Sequence, residues 1–154
     1  MKIQSLKQRT KKIIAMQHYT TIEQSKKLVG LGLNPETADM YYLKIIREND
    51  VRYIPELLLD DNECDIPCWS LGALMDLLPP SIQTGEGMQN QYEIDIRKYW
   101  GGEENLYQLA YGNNRGISEE WHDMINTGEK ESIIDAVFSM ICWLLENNYI
   151  KKGE

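Results

Sequence analysis

The sequence predicts an α+β domain built from a small antiparallel sheet packed against helices, and three observations carry that reading. Between Tyr92 and Tyr111 apolar residues alternate with polar ones across a glycine-containing turn, the pattern of a β-hairpin. From Ser132 to Asn148 apolar residues recur at helical spacing around most of the cylinder, the pattern of a long buried helix. The composition, 42% hydrophobic and 26% charged over 154 residues, is that of one globular domain large enough to bury a core without metal or disulfides. The expected organisation is a basic arm over 1–19 followed by a single domain over 20–154.

Each element has a local reason. In the arm, Ile3, Leu6, Ile13 and Ile14 fall at spacings that form an amphipathic helix, with Lys2, Lys7, Arg9, Lys11 and Lys12 on the other positions. Thr20 and Glu23 read as a capping box that opens a helix over 22–31, closed by Gly30 and Gly32. Asn34 and Pro35 read as a helix start, and the residues that follow suit either a helix or strands. The reading adopted is a helical turn at 35–38 and then strands near 40–56 around the polar turn at Glu48, Asn49 and Asp50, where Pro55 admits only an edge position. Ser70 caps a short helix stopped by Pro79 and Pro80, with Trp69 stapling its first turn. In the central hairpin a four-residue loop, Gly101 to Glu104, pairs Ile96 with Leu109 and Ile94 with Tyr111; a two-residue loop at Gly101 and Gly102 keeps the same apolar face. Ser118 to Trp121 resembles another helix start, and the long helix over 132–148 closes the domain.

Charge and motif content narrow the function classes. Residues 1–27 carry seven basic side chains against Glu23, a net of +6, which leaves 9 basic and 23 acidic residues, a net of −14, in the remainder. A body this acidic repels phosphates, so any nucleic acid is expected to meet the arm alone, while the arm's opposite charge favours docking against the acidic body of its own or a neighbouring subunit. Its four aliphatic residues give only marginal lipid affinity, and no apolar run reaches the length of a membrane span, so no membrane partner is expected. The basic N-terminus lacks a following apolar run and a small-residue cleavage site, which makes a cytoplasmic protein the expectation. Cys142 reads as core, and Cys64 and Cys68 read as thiols, since a zinc site on that pair needs two further ligands and only His18 and His122 are left to supply them; no cofactor is expected.

The acidic run Asp60 to Asp65 lacks the glycine and glutamate that a calcium loop requires, and it reads as a solvated loop. Glu119 and His122 have the spacing of a di-iron pair, but the second pair is missing. With no nucleophile elbow, phosphate loop or dinucleotide fingerprint, the expected function is a non-enzymatic protein-interaction or regulatory module that self-associates or binds protein. Its candidate contact residues are Lys2, Lys7, Arg9, Lys11, Lys12, Trp69, Trp100 and Trp121. The alternative is a metal-dependent hydrolase or nuclease in which Asp60, Asp61, Glu63, Glu119, His122 and Asp123 converge around a divalent cation.

The segments TIEQSKKLVGLGLNPETADMYY, IPCWSLGALMDLLP and DAVFSMICWLLENNYI resemble those of small proteins from prophages and conjugative elements of gut bacteria, a group with no assigned activity. The helix that follows a short antiparallel sheet is also similar to the phage helix-sheet-helix sandwich domain. The resemblance implies a small accessory protein of a mobile element and transfers no catalytic residue.

Overall fold

The computed structural model describes residues 18–57, 66–102, 104–114 and 120–153. It has an α+β architecture with two antiparallel sheets, and its described residues form two compact units. One unit comprises 18–78 and 141–153; the other comprises 79–140. The arm residues Lys2, Lys7, Arg9, Lys11 and Lys12 lie outside the described residues.

The first unit opens with helix α1 (Ile22–Gly30), capped by Thr21. The Thr21 hydroxyl accepts from the Gln24 backbone N–H at 3.1 Å, while the Gln24 amide oxygen accepts from the Thr21 N–H at 2.9 Å. The capping box therefore falls one residue later than Thr20–Glu23. Thr20 is fully buried and its hydroxyl is already engaged, with Ser25 Oγ at 2.8 Å and the Trp69 N–H at 3.0 Å, so it cannot serve the helix end. After α1 the chain reverses at Gly32, whose φ of +96° lies in the region that glycine adopts without strain.

Asn34 caps a single 3-10 turn, Pro35–Thr37, and the chain then extends into β1 (Met40–Arg47) and β2 (Asp50–Leu57). A third strand, β3 (Ile66–Cys68), pairs with Met40 to Tyr42, giving the order β2-β1-β3. Pro55 sits in an edge strand as its missing N–H requires. Ser70 caps α2 (Leu71–Asp76), accepting from the Ala73 N–H at 3.1 Å, and is itself held by the Asp39 carboxylate.

The second unit is a four-stranded meander in the order β4 (Ser81–Gln83), β5 (Gln91–Trp100), β6 (Asn105–Asn114) and β7 (Trp121–Asn126). Ile96 pairs with Leu109 and Ile94 with Tyr111, the register of the four-residue loop. Tyr92, Leu109 and Tyr111 are buried, and burial raises the Tyr111 phenol well above its ordinary range while its O–H donates to the Pro79 carbonyl at 2.5 Å.

The stretch at 121–126 corrects the expected helix. β6 is ten residues long, and a helix beside it would leave the outward N–H and C=O groups of its buried half without partners. Strand β7 supplies them, with a bulge opposite Tyr111 and Gly112, and the chain continues the pairing from Thr127 to Leu109 and from Lys130 to Tyr107.

Helix α3 (Ile133–Glu146) closes the fold, and Ile134, Ala136, Val137, Met140, Ile141, Cys142, Leu144 and Leu145 are all buried along it. Ser132 accepts from the Asp135 N–H at 3.2 Å at its start. Its end is a Schellman motif: Asn148, with φ of 60°, turns the chain so that the Tyr149 N–H reaches the Leu144 carbonyl at 2.8 Å. The Tyr149 ring stacks on Trp143 at 5.4 Å.

Candidate functional site

The largest concentration of exposed apolar side chains lies on the β1–β2 hairpin. The two strands are joined by the two-residue turn Glu48-Asn49, and Arg47 faces Asp50. Only the base of the hairpin is anchored: Tyr42 is buried and its O–H donates to the Thr20 carbonyl at 2.6 Å. Beyond it Ile46 is 70% exposed, Leu57 59% and Val51 53%, and Leu43, Tyr53 and Ile54 are also exposed.

Because side chains alternate across a strand, Ile46, Val51, Tyr53 and Leu57 share one face and Leu43 and Ile54 the other. One face is therefore largely apolar, while the other mixes Leu43, Ile45 and Ile54 with Arg47, Asp50, Arg52 and Glu56. The charges along 43–57 are Lys44, Arg47 and Arg52 against Glu48, Asp50 and Glu56, a net of zero in a protein at −8. Arg52 and Asp50 pair at 2.5 Å, flanking a shallow groove of about 90 Å³ lined by Ile45, Arg47 and Ile54.

Hairpin geometry also settles which backbone groups the edge of β2 offers. Pairs alternate outward from the two-residue turn, so Val51, Tyr53, Pro55 and Leu57 direct their backbone groups away from β1. Pro55 has no N–H to give there, which breaks the edge for any long added strand. The side chains, rather than the edge, are what this hairpin presents.

On the four-stranded sheet, one face carries a polar network. The Arg97 guanidinium makes a bidentate pair with Asp123, at 2.8 Å and 2.6 Å, donates through Nε to Asp95 at 2.6 Å, and reaches Gln108 at 3.2 Å. Asp123 also accepts from the Trp121 indole N–H at 2.8 Å and from Asn126 at 3.3 Å. The hydrogen bonds from Arg97, and then from Trp121, hold the Asp123 carboxyl below its ordinary range, while those carboxylates keep Arg97 firmly protonated.

Since the folded value for Asp123 is depressed, its contribution is present above the ordinary aspartate range and lost as pH falls through the lowered value. Asp123→Asn is expected to cost about 1–3 kcal/mol at neutral pH and to flatten the acid limb of the stability curve. Urea titrations between neutral and acid pH measure both; an unchanged acid limb would remove Asp123 from the account.

The candidate catalytic residues do not assemble among the described residues. Asp60, Asp61, Glu63 and Glu119 lie outside them, as do Cys64 and the rest of the acidic run Asp60 to Asp65. His122 and Asp123 are neighbours on strand β7, so their side chains leave opposite faces and form no acid/base couple; Asp123 is committed to Arg97. Among the described residues no three His, Cys, Asp or Glu side chains group to hold a metal ion. Cys68 and Cys142 are buried free thiols, and burial pushes Cys142 up to about 11.

The aromatic candidates separate into three cases. Trp69 is fully buried, its indole N–H donating to Thr37 Oγ1 at 3.0 Å, so it belongs to the core and not to a contact surface. Trp100 stands 66% exposed at the end of β5, open to a partner. Trp121 is half-buried and pinned to Asp123.

The exposed hairpin residues were absent from the contact set expected from sequence. Their signal was nevertheless present: Leu43, Ile45, Ile46, Val51 and Ile54 occupy both alternations of the strands, so apolar side chains reach each face. No family model matches the chain, and no curated protein or solved structure matches it.

Proposed function

We propose that this protein is a non-enzymatic interaction module that self-associates through the β1–β2 hairpin. The observation that carries the reading is the array of Leu43, Ile46, Val51, Tyr53, Ile54 and Leu57, exposed together on a hairpin of zero net charge. Apolar side chains contiguous on a surface gain free energy when a partner covers them. Two copies at −8 repel through most of their surface, and the neutral hairpin is where they meet without like-charge cost. The likeness of three segments to prophage and conjugative-element proteins supports a cytoplasmic accessory role in a mobile element. No helix among the described residues is long and apolar enough to cross a membrane.

Ile46→Lys with Val51→Lys tests the reading, because both positions are exposed and neither supports the core. Light scattering is expected to give a dimer for the natural chain and a monomer for the variant, with both still melting cooperatively and only the natural chain's midpoint rising with protein concentration. A monomeric natural chain, or a variant that stays dimeric, overturns self-association through the hairpin.

A further inference from the structure

The four-stranded sheet carries a cleft of about 230 Å³ lined by Met88, Gln91, Glu93, Asn113, Asn114 and Trp121. Its wall is set by one glycine. A side chain at Gly112 would collide with the Trp121 indole and the His122 carbonyl, so the absence of a Cβ lets the ring lie across the sheet. The hydrogen bond from its N–H to Asp123 then fixes the ring.

Glu93 is the register partner of Gly112, and its side chain leaves the sheet on the face that carries Trp121. Carboxylate and indole thus flank one space. Glu93 makes no ion pair with a described residue, and among the described residues lining the cleft it is the sole ionisable side chain. The surrounding stretch, 79–140, holds 11 acidic against 4 basic residues, a net of −7 whose field draws cations.

A fixed aromatic ring beside a carboxylate is the arrangement that attracts a positive charge bearing apolar carbon: the ring quadrupole and the carboxylate act on the charge, and the Met88 thioether meets the alkyl chain. The amide oxygens of Gln91 and Asn114 can accept its N–H groups. We propose that this cleft binds an alkylammonium group, carried by a free amine or by a lysine side chain. The proposal concerns a different sheet from the hairpin and stands independently of what the hairpin binds.

Nitrogen–proton correlation spectra of the full chain test it, titrated with butylammonium, with N-acetyl-lysine amide and with 1-pentanol as the uncharged counterpart. The Trp121 indole signal and the Gln91 and Asn114 side-chain amides are expected to shift saturably with the two cations, at a dissociation constant on the order of millimolar for ligands of this size. Glu93→Gln, at an exposed position, is expected to weaken both at least about tenfold while leaving the backbone spectrum in place. The tighter of the two cationic probes identifies the source of the group. Equal response to 1-pentanol, undiminished binding by Glu93→Gln, or the absence of saturable shifts overturns the proposal.

Discussion

Val137→Asp is expected to abolish cooperative unfolding at neutral pH. Val137 has no exposed surface and lies on the buried stripe of α3 with Ile134, Met140 and Ile141. An unpaired carboxylate in such a place costs several kcal/mol whether it stays charged or takes up a proton, and that is comparable with the roughly 5–15 kcal/mol by which a domain is stable. Lowering the pH should recover part of the loss, since the neutral acid is cheaper to bury than the anion: burial raises this carboxyl, so the penalty is full above its folded value and falls below it. Leu144→Asp makes the same test in the other unit, where Leu144 is equally buried. Circular dichroism melts read the result, and a soluble variant that still melts cooperatively within a few degrees of the natural chain would show that α3 is not core.

Thr20→Val is expected to give the next largest effect, a loss of about 2–4 kcal/mol at nearly constant volume. The Thr20 hydroxyl sits between Ser25 Oγ and the Trp69 N–H, and Cys68 Sγ lies 3.8 Å from it. Around the same residue, the Thr20 N–H donates to the Trp69 carbonyl at 2.9 Å and its own carbonyl accepts from the Tyr42 hydroxyl. Valine fills the space but leaves a buried backbone N–H and a buried hydroxyl without their partner, each costing about 1–3 kcal/mol. For a chain of 154 residues the midpoint should fall by roughly 5–15 °C. Thr20→Ser keeps the hydroxyl and loses one methyl, so it should cost about 1 kcal/mol. If serine and valine destabilise equally, packing rather than hydrogen bonding explains this position.

Elements whose residues carry their own instructions are legible in the sequence alone. The 3.6-residue recurrence of Ile134, Val137, Met140, Ile141 and Leu144 specifies α3, and the alternation around Ile94, Ile96, Leu109 and Tyr111 specifies the central hairpin and its apolar face, while the structure chooses the four-residue loop over the two-residue one. Pro55 announces an edge strand because it lacks a donor. Ser70 announces a helix start because its hydroxyl can take an orphan N–H.

Where the fold departs from the linear reading, non-local contacts are the reason. Ser118 to Trp121 resembles a helix start on its own, but the residues at 121–126 lie beside the outward backbone groups of β6, and pairing with them outweighs weak helix signals. Thr20 and Thr21 are equivalent as caps in a linear reading; contact with Trp69, 49 positions away, reserves Thr20 for the core. Trp69 and Trp100 are both large aromatics next to turns, and only the fold separates the buried one from the exposed one.

The candidate site divides along the same line. By itself the sequence determined the chemistry available: an acidic protein with few histidines, a hairpin with apolar residues on both alternations, a carboxylate-rich strand opposite a buried one. These follow from composition and from periods of two and 3.6 residues, which need no knowledge of distant segments. The tertiary structure alone decided which groups meet. It brought Asp123 to Arg97 across 26 positions, laid Trp121 over Gly112 beside Glu93, and left Ile46, Val51 and Leu57 of the hairpin exposed. Those outcomes depend on strand register and burial, and both arise only when distant parts of the chain compete for the same backbone groups and the same core.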